Sequence, residues 1–445
     1  MFVFADATAQ ATAMKASTSS GRPGEMSRDD LERLVAETFD AAGVPGGVLH
    51  VVDAQGPRET VEYGGLTASD PVTLGSTSKA LAATVLLQLA EEGLVDLHAP
   101  ARRYLPGVGL PQEVTLLDLA HHSSGLRPDA RPAHLIKART REFRYANQNY
   151  NLLGDVLAAA SGMTYASLLT SRVLEPLGMD QSWCPPLRPG APGHVAVFGV
   201  NIPVRAFNAG PESWIQGPSG AVTASAADAG RFLAMVLGGG VLDGRRVLSP
   251  ASVTMMLNDV VQADGSPAVA GPFGDQGEYG LGWVRKQVRG RPVHLHVGKV
   301  PGATSVFVLL PDVGLGFVLL VNAGDFLVGT PLLEKLAENV ARLLLGEEVT
   351  TAAPRSVVRR RRAVLNSVYA VFLVMSAVGW LVPVLPGGLL VSVGYHAVLP
   401  AALVVGLRRS SSTPWPWLFR FAPDVASVLF LGCVSMVAAG MRLLI

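Results

Sequence analysis

From Ala363 to Ile445 the charged side chains are Arg408, Arg409, Arg420, Asp424 and Arg442 and no others. A helix crossing a bilayer takes roughly 20 consecutive apolar residues. The intervals between these charges allow three such spans, over Ala363–Val384, Gly388–Leu407 and Pro423–Leu443. "LPGG" then makes a tight turn, and "RRSSSTPWPWLFRF" an interfacial loop whose Trp415, Trp417 and arginines suit the headgroup zone. Three adjacent runs so poor in charge exceed what a soluble core requires. A bundle of three transmembrane helices over 363–445, in contact with the lipid bilayer, is therefore expected.

This tail accounts for the unusual balance of the 445-residue chain, which is 49% hydrophobic and 16% charged. The net charge is +1, from 36 basic and 35 acidic residues, so no global field points to a nucleic-acid partner. Cys184 and Cys433 lie far apart in the sequence and, on this reading, in different media. Neither a disulfide nor a zinc spacing is expected from them. Arg359–Arg362 directly precede the first span and by the positive-inside tendency would hold the preceding domain in the cytoplasm, with Arg408, Arg409 and Arg420 on the same side. A folded domain is nevertheless exported despite such charges when a signal sequence leads it. "MFVFADATAQATA" has no basic start and is interrupted by Asp6, so it reads as a leader or as the tail of a signal that begins upstream.

Four segments follow: a disordered leader over 1–26, a folded domain over 27–350, a basic linker over 351–362 and the membrane domain over 363–445. Ser27 is a plausible cap for a helix whose Leu31, Leu34, Val35 and Phe39 recur at helical spacing, stopping at Gly43. "GGVLHVVDAQG" and "ETVEYGG" read as two strands, and "VTLLDLAHHSSGL" as a helix ending in glycine. Residues 125 to 260 mix helix with Pro/Gly-rich loop. Strands return in "YGLGWVRKQ", "PVHLHVG" and "ATSVFVLLPDVGLGFVLLVNAG", before a helix from Thr330 to Leu345. Strands at both ends and helices between predict an α+β domain, one antiparallel sheet with an inserted helical region. The cleft between the two regions is the expected place for a site.

"LGSTSKALAATVLLQL" carries the chemistry. Ser76 and Lys79 are three apart, hence on one helical face with Cβ atoms about 5–6 Å apart. A serine hydroxyl becomes a nucleophile beside a base, and lysine is a base only where burial or neighbouring charge lowers its pKa. Leu81, Val85 and Leu89, with Ala82 and Leu86, form an apolar stripe that would bury this helix. Ser-x-x-Lys alone is a weak pattern. Its weight comes from Tyr145-Ala146-Asn147 in "FRYANQNYNLLG" and His296-Val297-Gly298 in "LHVGKVPG", which follow in order with "LAHHSSGL" and "YGLGW" between them.

Together these pieces resemble the serine β-lactamase and penicillin-binding-protein superfamily, most closely its class C β-lactamase, D-Ala-D-Ala carboxypeptidase and esterase branch. The resemblance runs over residues 28 to 345. It implies a sheet domain plus an all-helical domain with the Ser-x-x-Lys helix at their junction. It implies Ser76 as the acylated nucleophile, Lys79 as its proton acceptor, and Tyr145 as an acid/base whose pKa Lys79 lowers. Asn147 would bind Lys79 and the substrate amide, and His296 would orient the tyrosine or the substrate. Gly298 would admit the acyl group, and the backbone N–H groups of Ser76 and Lys299 would form an oxyanion hole. No cofactor and no metal is implied. His294 and His296 share a strand face but have no evident carboxylate or cysteine partner for a metal site. Tyr150 and Trp283 read as packing residues. Lys299 departs from the small residue the family carries there, and its side chain either points away or enters the cleft, where it would favour an anionic substrate.

The expectation is a membrane-anchored serine hydrolase acting on peptide or amide bonds of D-amino-acid-type substrates. A hydrolase domain followed by three spans is also the layout of prodrug-activating peptidases of nonribosomal peptide pathways. Ester or β-lactam hydrolysis is the alternative within the class, and a non-catalytic peptide- or peptidoglycan-binding protein the alternative outside it. The resemblance places the hydrolase outside the cytoplasm, whereas Arg359–Arg362 argue for the opposite side.

Overall fold

The computed structural model describes residues 28–126, 142–184, 190–207, 213, 215–266, 269, 271–325, 329–347, 349, 355–381, 388–410, 419, 420 and 422–441. The expected leader, the cap at Ser27 and most of the interfacial loop with Trp415 and Trp417 lie outside them. The chain divides into two compact units. The larger takes the described residues up to His194 and those within Pro203–Ala353; the smaller takes Val195–Ile202 and those within Pro354–Ile445.

The larger unit is built on an eight-stranded sheet in the order Gly56–Gly64, Gly46–Asp53, Leu315–Val321, Ala303–Leu310, Arg291–Val300, Val284–Val288, Glu278–Tyr279, Val261–Gln262. Neighbouring strands in it run antiparallel. The two ends of the domain meet where Gly47 pairs with Val321 and Val51 with Phe317. The central strands are buried along nearly their whole length, and Ala303–Leu310 has no exposed residue. Such continuous apolar runs require cover on both faces. Gly47 faces the Phe39 ring of the Arg28–Ala42 helix, and His50 faces Gly230 of the Ala226–Leu237 helix. Positions 47 and 50 differ in parity, so the two helices lie on opposite faces.

The inserted region contains the helices Leu116–Ala120, Asn147–Ser161, Tyr165–Leu169 and Pro250–Asn258. The expected α+β arrangement is thus the one observed. Ser78–Glu91 is a helix buried on all sides over its first twelve residues. It is preceded by one tight turn, Gly75–Thr77, so Ser76 stands just ahead of the α-helix instead of inside it. "YGLGW" is not one strand: Gly282 at φ +81° turns the chain between Glu278–Tyr279 and Val284–Val288, and a Cβ there would lie 2.7 Å from Lys79 O.

In the smaller unit a helix runs from Arg355 to Leu381. Arg359–Arg362, expected in a linker, therefore stand within its first two turns, since 355–362 contains neither glycine nor proline to break it. Val358–Val378 and Pro423–Met441 are long and apolar enough to cross a membrane, and Val391–Val405 is a shorter apolar run. The two long helices meet at Gly432, whose Cα packs on the Phe372 ring. Small residues at such crossings let helices approach closely.

Candidate active site

Lys79 is fully buried on the Ser78–Glu91 helix. Its Nζ lies 3.1 Å from Ser76 Oγ, 2.8 Å from Asn147 Oδ1 and 2.5 Å from the carbonyl oxygen of Ser219. The Tyr145 ring centre is 4.8 Å away. No carboxylate among the described residues pairs with it, and burial drives its pKa well below the ordinary lysine value. A neutral amine has two N–H donors and one lone pair. Asn147 Oδ1 and Ser219 O accept and cannot donate, which leaves the lone pair for the hydroxyl proton of Ser76.

Tyr145 is half-buried in the extended segment that leads into the Asn147–Ser161 helix, with its ring over Lys79 Nζ and its hydroxyl under the influence of Ser76. The expectation that Lys79 lowers its pKa is corrected. Burial pushes the phenol well above its usual value, and the nearby Ser76 hydroxyl opposes this without reversing it. The phenol is therefore protonated at neutral pH and is a donor.

His122 fixes Tyr145 from behind. His122 O accepts Arg144 N–H at 2.8 Å and His122 Nδ1 accepts Ala146 N–H at 3.3 Å, one residue to either side of the tyrosine. Asn149 Oδ1 accepts from Ser124, so Asn149 Nδ2 donates to His122 Nδ1, and the imidazole proton sits on Nε2. The His122 and Tyr145 ring centres are 4.3 Å apart.

His296 is placed differently from expectation. Its Nδ1 is 3.0 Å from Val297 O and its Nε2 3.1 Å from the Tyr279 hydroxyl, while the Tyr145 ring centre is 6.3 Å away. Burial and the nearby Lys79 lower its pKa to about 3, so it is neutral, with Nδ1–H donating to Val297 O and Nε2 accepting from Tyr279. Tyr279 lies in the quoted "YGLGW", but sequence reasoning gave it no role. Ser219 was missed altogether, because a backbone carbonyl has no side-chain signature. Tyr150 and Trp283 are fully buried, and the Tyr150 hydroxyl donates to Ala120 O at 3.0 Å.

The strand Arg291–Val300 passes directly over the serine turn. A Cβ on Gly298 would lie 1.9 Å from Leu74 O and 3.0 Å from Ser76 N, and one on Gly75, at φ +59°, 2.5 Å from Lys299 N. The backbone N–H groups of Ser76 and Lys299 are thereby brought beside the nucleophile. Lys299 Nζ pairs with Glu334 of the Gly329–Leu344 helix at 2.6 Å. Its charge is committed to that helix, which resolves the departure noted at this position.

Seven residues singled out in the sequence, Ser76, Lys79, Tyr145, Asn147, His296, Gly298 and the backbone of Lys299, are gathered around one point. Known proteins are similar to this chain. Penicillin-binding protein 4 of Amycolatopsis lactamdurans is 29% identical over 328 residues, covering 65% of this chain and 84% of that protein. The D-alanyl-D-alanine-carboxypeptidase/endopeptidase AmpH of Escherichia coli K12 is 27% identical over 197 residues, 36% of this chain and 51% of that protein. The solved D-amino acid amidase of Ochrobactrum anthropi superposes with a TM-score of 0.58 at 23% identity, covering 71% of this chain and 97% of the amidase, a likeness of fold. The profile of the Beta-lactamase family matches residues 31–342, and the chain belongs to that family, as a serine hydrolase.

Proposed function

We propose that this chain is a membrane-anchored serine hydrolase that cleaves amide or peptide bonds next to D-amino acids through an acyl-enzyme on Ser76. The observation that carries the reading is the amine of Lys79, buried with no carboxylate partner among the described residues, with two acceptors facing it and Ser76 Oγ at 3.1 Å. Ser76 Oγ attacks the carbonyl carbon while its proton passes to Lys79 Nζ. The carbonyl oxygen takes the negative charge, facing the backbone N–H groups of Ser76 and Lys299; such donors are worth roughly 3 kcal/mol each. Tyr145, protonated, gives its proton to the leaving nitrogen as the C–N bond breaks, and the ammonium of Lys79 returns one to it. Water then attacks the ester carbonyl, with Lys79 again accepting the proton; the bond to Ser76 Oγ breaks, Lys79 returns that proton to Oγ, and the acid leaves. Asn147, its Oδ1 committed to Lys79, has Nδ2 left to donate to the substrate amide. The carboxypeptidase activity in the name of AmpH supports the substrate class.

The anchor is the three-helix tail. Phe372 meets Gly432 and Trp380 donates to Ser435, so the two long helices advance together and are parallel. His396 meets Met436 O and Pro400 O meets Cys433, so the middle run is antiparallel to the last helix. Two parallel crossings require a return between them, which supports three spans.

A fluorophosphonate probe, followed by a panel of D- and L-alanyl amides and a chromogenic cephalosporin, tests the activity. The expected result is labelling of the native chain but not of Ser76→Ala, and turnover of the D-amides. Equal labelling of both chains sinks the acyl-enzyme; turnover of the cephalosporin alone moves the assignment to β-lactam hydrolysis.

A further inference from the structure

Residues 193–204 form a hairpin, Gly193–Val197 and Val200–Val204, whose end belongs to the unit of the C-terminal helices. Phe198 and Gly199 make the turn with φ of +51° and +84°. Positive φ at both central residues gives the tight primed turn that closes a two-residue hairpin. Three large apolar side chains at this end face solvent: Phe198 is 47% exposed, Val200 61% and Ile202 43%. Val200 and Ile202 are two apart on one strand and share a face.

The turn is fastened to the helices that read as spans. Arg362 donates to Gly199 O at 3.3 Å and Asn366 to Phe198 O at 3.4 Å. Phe198 N–H donates to Asp424 Oδ2 at 3.2 Å, and the Phe198 and Tyr369 rings meet edge-on with centres 5.7 Å apart. From Arg362 to Tyr369 the helix rises about 10 Å. The hairpin end therefore lies alongside the first turns of the apolar stretch, past the exposed Arg359, Arg360 and Arg361. On that stretch Val364, Val368 and Val371 are themselves 48%, 58% and 59% exposed. Exposed apolar groups continuous with a span and flanked by arginines fit the boundary between anionic headgroups and acyl chains.

We propose that the hairpin end, Phe198 to Ile202, is a second membrane contact, dipping into the headgroup and acyl-chain boundary of an anionic leaflet beside the first span. The inference rests on the anchoring reading above. Full-length protein with Cys184→Ala and Cys433→Ala, reconstituted in phosphatidylcholine/phosphatidylglycerol vesicles, would carry an environment-sensitive fluorophore at Val200→Cys, at Val371→Cys on the first span, or at exposed Arg245→Cys. The label at 200 is expected to emit to the blue of that at 245, to be quenched by lipid spin-labelled near the headgroup, and to resist aqueous iodide. A label at 200 that matches 245 while 371 is lipid-quenched overturns the hairpin contact and leaves the anchor standing. A label at 371 that also matches 245 overturns the anchor and the proposal with it.

Discussion

Lys79 Nζ stands 3.1 Å from Ser76 Oγ with its other two contacts made to oxygens that only accept. Among the described residues no carboxylate faces that amine, so an ammonium there is buried without a counter-charge and its pKa is held well below the ordinary lysine value. Acylation should therefore increase with pH along a limb set by Lys79, well below the ordinary lysine value. Tyr145, pushed up by burial, should give no descending limb below pH about 10. A kcat/KM profile with a falling limb near neutrality would instead show that a required proton is lost there, and that burial does not hold the Tyr145 phenol high.

The same burial makes stability depend on pH. The folded pKa of Lys79 is depressed, so between that value and about 10.5 the unfolded chain binds a proton that the fold excludes, and stability rises with pH across this window. Lys79→Met removes the titration. Its melting temperature relative to the native chain should fall on going from pH 7 to pH 10, whatever its absolute value. A difference that stays constant between those two pH values contradicts a depressed Lys79.

Gly298→Ala forces a methyl group to within 1.9 Å of Leu74 O and 2.3 Å of Ser305 Oγ, in the backbone crossing that holds the proposed oxyanion donors. Strand and serine turn must separate. Losing one such donor lowers kcat by roughly 100- to 1000-fold. Steady-state kinetics should show the loss in kcat with KM little changed; an unchanged kcat would place the donors elsewhere.

Tyr279→Phe leaves His296 Nε2 buried without a donor. An unsatisfied buried acceptor costs about 1–3 kcal/mol. Urea unfolding should show a lower midpoint at unchanged slope, and the His296 Nε2 NMR shift should report the lost donor while Nδ1–H stays on Val297 O. An identical Nε2 shift in both proteins would mean that Tyr279 does not donate to His296.

The sheet was legible because its central strands are uninterrupted apolar runs, and runs such as "ATSVFVLL" and "LGFVLLV" have nowhere to go but a doubly covered sheet. The side chains of Ser76, Lys79, Tyr145 and Asn147 were legible as letters in order. What the letters concealed was set by packing between distant segments. The acceptor at Ser219 is a backbone oxygen, and the partner of His296 sits across a turn at Tyr279. The Lys299 charge is drawn off by Glu334, from a helix that begins thirty residues later at Gly329. The fate of the Tyr145 proton depends on burial, which no motif encodes.

The proposed three-helix anchor predicts on which side residue 445 emerges. Phe198 touches both Tyr369, midway along the first long helix, and Asp424, at the start of the last, so the last helix begins level with the middle of the first. Leu389–Ser410 must then return the chain between them; its 22 residues, helical with one wide turn at Gly394–Val398, reach about 33 Å, enough for the hydrocarbon core. On the proposed three-span reading, residue 445 would lie opposite the side on which Arg359–Arg362 begin. Fusing alkaline phosphatase or a fluorescent protein at residue 445 separates the cases. A hydrolase outside the cytoplasm requires an inactive phosphatase and a bright fluorescent fusion. The reverse pair of signals puts Ser76 inside, as the four arginines alone would have it, and removes exported D-peptides from the substrates it can meet.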